Sequence, residues 1–87
     1  MKILMKSIET IAWFTVDGYP TPIRFRFSDK DIGNIIIPVQ QILFSEEEKY
    51  AGNRMILYRC QSNINDILKE FELKYEIDTC KWFLYKM

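Results

Sequence analysis

Histidine does not occur once in the 87 residues. That absence removes the commonest general base and the commonest metal ligand together. No Ser-His or Cys-His nucleophile pair can be assembled. Glycine is scarce: Gly18, Gly33 and Gly52 stand far apart and form no loop that could cradle a phosphate. Neither sign of charge is in excess, because 12 basic and 12 acidic residues cancel. A neutral chain argues against non-specific duplex binding, which rests on neutralising many phosphates, though it leaves room for a local basic patch. Long apolar runs are missing too. Met1 to Met5 is apolar apart from Lys2, and Lys6 and Glu9 then interrupt it, so the run is too short for a secretory core or a membrane span. The expectation is a cytoplasmic protein with no membrane partner.

Cysteine is limited to Cys60 and Cys80. In a meander of strands they fall at opposite ends of the sheet, on the order of 20 Å apart at the usual rise per residue. A disulfide needs Cα atoms within about 7 Å. Two reduced thiols, as in a cytoplasmic protein, is the reading. Acid–base catalysis by carboxylates would need two acids held across a cleft, and the acids here fall on strand faces or in a charged turn. The chain therefore reads as a non-enzyme with no cofactor and no metal.

What is present is strand-forming sequence. Aromatic residues make up 15% of the chain, which helps a small domain whose core is thin. Glu70 to Asp78 alternates charged and apolar residues without a break, the signature of a strand with one wet and one buried face. A reversal at Asp78-Thr79 pairs Tyr75 with Trp82 and Leu73 with Leu84 on the face of Phe71. The opposite face pairs Glu76 with Lys81, Lys74 with Phe83 and Glu72 with Tyr85. A one-residue slip would exchange core for solvent throughout.

Upstream, residues 8–16 (IETIAWFTV) and 19–28 (YPTPIRFRFS) flank Asp17-Gly18, a strong signal for a two-residue hairpin. That turn sets Thr15 against Pro20 and Trp13 against Pro22 at non-hydrogen-bonded positions, where a missing donor is harmless. It also pairs Glu9 with Arg26 and Ile11 with Arg24. Ala12/Ile23, Thr10/Phe25 and Ile8/Phe27 then line the core. Residues 29–34 read as a turn. Residues 35–44 (IIIPVQQILF) read as one long strand covered on both faces, with an edge, bulge or bend at Pro38. Residues 45–53 (SEEEKYAGN) read as a single helical turn near 46–51, capped by Ser45 and Glu48 and stopped at Gly52-Asn53. Its acidic run reads as a solvated face rather than a site for a cation or a basic partner. Residues 54–61 form the next strand, and 62–66 the turn after it.

The constellation most able to recognise something is the outer face of the first hairpin: Trp13, Arg24 and Arg26, with Ile11 and Pro22. Phe83 and Tyr85, on the charged face of the last hairpin, join it as candidate binding residues. Arginine beside exposed aromatics suits a protein interface, and it also suits stacking on single-stranded nucleic acid. If these faces are open, the apolar patch is large for a monomer and a homodimer is the natural resolution.

The runs AGNRMILYRCQS (51–62) and FELKYEIDTCKWFLYK (71–86), with IAWFTVDGYPTPIRFR (11–26), resemble a family of small bacterial proteins, a domain of unknown function. More distantly, the strand with Arg59 followed by FELKY is similar to WYL-type domains, Sm-like β-barrels that sense ligands in regulators; the tryptophan-tyrosine-leucine triplet itself is absent. The expectation is one all-β domain over 1–87, with about six strands in antiparallel hairpins curled into a small SH3-like or Sm-like barrel. Its function would be that of a non-enzymatic interaction or regulatory module, or alternatively of a single-stranded nucleic-acid binder.

Overall fold

The computed structural model describes residues 1–87. It contains β1 (Ile3–Phe14), β2 (Pro20–Asp29), β3 (Gly33–Pro38), β4 (Gln41–Tyr50), β5 (Asn53–Ile64), β6 (Ile67–Glu76) and β7 (Lys81–Lys86), and no helix. All seven strands join one antiparallel sheet in the order β3-β2-β1-β7-β6-β5-β4, which is not closed. The fold is all-β, as the sequence predicts. The count rises from six strands to seven because residues 35–44 are not one strand. Pro38 ends β3, and only Val39 and Gln40 separate it from β4, yet the two strands lie at opposite edges. The sheet therefore curls until its edges approach at this corner. Ser62 of β5 holds the corner by donating its hydroxyl to the Pro38 carbonyl and accepting the Gln40 N–H at 2.9 Å.

The helical turn expected at 46–51 does not form. β4 runs through it to Tyr50, and Ala51-Gly52 makes the reversal, both with positive φ (50° and 84°). That is the two-residue turn whose twist suits paired strands. A strand also sends successive carboxylates to opposite faces, where cations await them. Glu47 meets Arg54 at 2.8 Å and Glu48 meets Lys74 at 3.0 Å. β5 and β6 turn in the same way through Asn65-Asp66, with φ of 51° and 64°.

The turn expected at Asp17-Gly18 is one residue longer. Gly18 N–H donates to the Thr15 carbonyl at 2.9 Å and Thr15 N–H to the Tyr19 carbonyl at 3.1 Å. This is a three-residue loop closed by a left-handed glycine, with Gly18 at φ 86°. Thr15 Oγ1 also donates to Asp17 Oδ1 at 2.7 Å. The longer loop shifts the register by one, so Phe14 faces Pro20, Ala12 faces Pro22, and Trp13 faces Thr21 rather than Pro22. A bulge at Ile23 then restores the count, and Ile11/Arg24, Thr10/Phe25 and Glu9/Arg26 pair as predicted.

In the last hairpin Tyr75/Trp82, Leu73/Leu84, Lys74/Phe83 and Glu76/Lys81 pair as predicted. The loop has four residues instead of two, with Cys80 left-handed (φ 59°) and its N–H on the Glu76 carbonyl at 2.9 Å. Two residues are added symmetrically, so the pairing survives. A bulge further on sets Glu72 against Lys86 instead of Tyr85.

Phe25, Phe71, Leu73 and Leu84 are fully buried at the centre, with Ile37, Ile56, Tyr58, Cys60, Tyr75 and Trp82 around them. Each large apolar side chain contributes about 1.5–3 kcal/mol by leaving water. Tyr58 lies 5.5 Å from Trp82 between ring centres, and Tyr75 lies 4.8 Å from it. The Tyr58 hydroxyl donates to the Pro20 carbonyl and so ties the first hairpin down over β5. Both cysteines are free, Cys60 buried and Cys80 exposed.

Candidate functional site

β1 alternates. Ile8 and Ala12 pack on the core and Phe14 meets the Tyr75 ring edge-on at 6.3 Å. Ser7, Glu9, Ile11 and Trp13 consequently point outward as one stripe. β2 adds Arg26 opposite Glu9 and Arg24 opposite Ile11. β3 adds Ile36 beside Arg26. Trp13 is 72% exposed, and Ile11 and Ile36 are both exposed. Trp13 is therefore not covered by Pro22 or by any neighbouring element.

The two arginines differ electrostatically. Arg26 holds both oxygens of Glu9, Nε to Oε1 and Nη2 to Oε2, each at 3.1 Å. That bidentate contact lowers the Glu9 carboxyl and raises the Arg26 guanidinium. Arg24 takes part in none of the four ion pairs of the molecule. Beside them lies a shallow depression of about 410 Å³ whose lining includes Glu9, Ile11, Arg24, Arg26 and Ile36. A fixed charge pair, one free guanidinium and apolar side chains thus share one surface.

Phe83 and Tyr85 lie on the same outer side, at the other end of the stripe. Phe83 pairs with Ser7 of β1 and Lys74 of β6 and is half-buried. Ser7 and Trp13 are six residues apart along β1, on the order of 20 Å of extended chain. The Tyr85 ring is engaged within the chain, with Lys74 Nζ 3.9 Å and Lys86 Nζ 5.1 Å from its centre. Trp13, Arg24 and Arg26 share one outward face of the β1–β2 hairpin, Phe83 stands beside that face at its Ser7 end, away from Trp13, and the Tyr85 ring is taken up by Lys74.

The charged face of β6 is not wet. Glu72 is 3% exposed and Lys74 9% exposed. Arg59 donates to Glu72 Oε2 from Nη2 at 2.7 Å and from Nε at 3.0 Å. Lys74 crosses the Met55–Leu57 segment of β5 to reach Glu48, and both apolar residues are buried beneath it. Ile36 belongs to the open surface although its run reads as covered on both faces. Its two isoleucine neighbours hide which face is free, and pairing with Arg26 is the signal that reveals it.

No group of three or more metal-ligating side chains is close enough to hold a cation, and no helix is long and apolar enough to cross a membrane. No family model matches the chain, and comparison with curated proteins and with solved structures finds no match to it.

Proposed function

We propose that this protein is a non-enzymatic interaction module of the bacterial cytoplasm, built as a small barrel left open along one side. It recognises a protein partner, foremost a second copy of itself, through the outer face of the β1–β2 hairpin. The observation that carries this reading is Trp13, 72% exposed, on the same face as Arg24, which has no acidic partner. Tryptophan and arginine are the residues most enriched at the energetic centres of interfaces. Ile11 and Ile36 extend the apolar area, and the Glu9–Arg26 pair supplies a polar rim. A two-fold axis through such a patch buries it against itself. Phe83 and Tyr85 stand at the far margin of the surface.

A second reading, binding of single-stranded nucleic acid, draws on the same two residues. Trp13 can stack on a base while Arg24 holds a phosphate. The neutralised Arg26 and the zero net charge weigh against it. Sedimentation velocity over a concentration series, with labelled oligonucleotide added at low salt in parallel, tests both. The account expects a dimer whose dissociation constant rises about tenfold or more in Trp13→Ala, and no oligonucleotide binding. A monomer at every concentration that does bind the oligonucleotide would move the assignment to the second reading.

A further inference from the structure

The sheet stays open where two strand edges face each other across a cleft of about 390 Å³. One edge is the start of β2, ahead of its pairing with β3 at Arg24. The other is β4, the last strand of the sheet. The three-residue loop of the first hairpin sets Pro20 and Pro22 opposite Phe14 and Ala12, at positions where the backbone turns away from β1 and toward the cleft. Proline has no N–H, so this stretch offers β4 carbonyls and few donors. One of those carbonyls, that of Pro20, is already taken by the Tyr58 hydroxyl. The two edges cannot zip together, and the gap between them is built into the sequence.

β4 is the opposite case. Its two-residue turn at Ala51-Gly52 makes Tyr50/Asn53 a doubly bonded pair, so Glu48 and Glu46 also bond inward to β5. Ser45, Glu47 and Lys49 therefore turn both N–H and C=O outward, with no strand to receive them. Three carboxylates border this edge and the cleft: Asp17, Glu46 and Glu47. Glu47 is neutralised by Arg54, whereas Asp17 and Glu46 face no cation. Hydrogen bonds from Thr15 and from its own backbone hold the Asp17 carboxyl below the usual range.

We infer that the β4 edge accepts an extended peptide segment as an added strand, one carrying lysine or arginine at alternate positions. Main-chain hydrogen bonds to Ser45, Glu47 and Lys49 supply the pairing, and the carboxylates choose the charge. A second copy of β4 is the wrong occupant. Antiparallel self-pairing centred on Glu47 sets Glu46, which has no cation of its own, against Glu48 in both halves of the pair, and like charges directly opposite are destabilising. This site is separate from the Trp13 face and does not depend on it.

The test uses three synthetic probes: an alternating Lys-Val peptide, the same peptide with Glu for Lys, and the Lys-Val peptide with alternate amides N-methylated. Binding is followed by amide chemical shifts and hydrogen exchange on the whole chain. The inference expects the Lys-Val peptide to bind and to protect the Ser45, Glu47 and Lys49 amides, and the other two peptides to bind about tenfold more weakly or not at all. Glu46→Lys, on the outer face, weakens binding about tenfold. Ser45→Pro, which removes an outward donor and leaves the β4–β5 ladder whole, abolishes it. Should Ser45→Pro fail to fold, Glu46→Lys and the N-methylated peptide still decide the matter. Equal binding of all three peptides, or shifts centred on Trp13 and Ile36, overturns the inference. Protection of β4 that grows with protein concentration and no peptide overturns it in favour of a second copy.

Discussion

Lys74 Nζ lies 3.0 Å from Glu48 Oε1 and 3.9 Å from the centre of the Tyr85 ring, so one ammonium links β4, β6 and β7 across the outer face of β5. Both side chains of the ion pair are largely withdrawn from water (11% and 15% exposed). Removing one partner strands the other charge, so Lys74→Met is expected to cost about 3 kcal/mol in urea unfolding. The double variant Lys74→Met/Glu48→Met should recover most of that loss, because a paired apolar replacement leaves nothing unsatisfied. Additive losses in the double variant would show that the contact is not an energetic unit.

Ala51 sits at φ 50°, a region that costs an L-residue with a plain Cβ about 1 kcal/mol. Ala51→Asn creates the Asn-Gly pair that this turn prefers. Stability is expected to rise by roughly 0.5–1 kcal/mol. Gly52→Ala, at φ 84°, is expected to lower it. Thermal unfolding of the two variants side by side checks both signs.

The hydroxyl of Tyr58 is the tie between the first hairpin and β5. Tyr58→Phe keeps the ring and deletes the donor to Pro20, at an expected cost of about 1 kcal/mol. Amide exchange around residues 14–22 should quicken while that of β6 stays slow. A uniform change across the sheet would mean that the bond does not act locally.

Alkali should unfold the protein in a predictable window. Burial pushes the Cys60 thiol up from 9.0 to about 12, and burial also raises the Tyr58 phenol. In the unfolded chain the thiol releases its proton near its ordinary value. Above about pH 9 the unfolded state therefore holds fewer protons than the folded one, and stability falls as pH rises. The stabilisation is complete below that point and is lost on the climb toward about pH 12. Urea midpoints at stepped pH check it, and Cys60→Ala should give a shallower slope between about pH 9 and 10.

Much of this fold was legible in the sequence, for identifiable reasons. The zigzag from Phe71 to Ile77 specifies a face for every side chain, and Tyr75/Trp82 follows from it for a loop of two or of four residues centred on Asp78-Thr79. Glu9/Arg26 was legible too, though by a count in which the extra loop residue and the bulge at Ile23 cancel. Glu46 to Glu48 was misread because a helix start and an edge strand both favour acids, and the cations that decide between them, Arg54 and Lys74, are distant in sequence. Pro38 announced a bend, but nothing local says that the two halves go to opposite edges. The burial of Glu72 and Lys74 was illegible because alternation looks the same whether charges meet water or each other. At the candidate site the shared face of Trp13, Arg24 and Arg26 was legible, whereas the capture of Tyr85 by Lys74 goes with a bulge, unannounced by any local residue, that sets Glu72 against Lys86 in place of Tyr85.

The central claim is that the Trp13 face meets a partner while the interior does not change. Trp13 and Trp82, one exposed and one buried, each carry an indole N–H that Trp13→Phe assigns in a proton–nitrogen spectrum. The account predicts that, as the protein is concentrated, the Trp13 signal shifts and its exchange with water slows. The Trp82 signal should stay fixed, and Arg24→Ala should suppress the shift. A Trp13 signal that never moves, in a sample that nevertheless associates through other residues, would contradict the account.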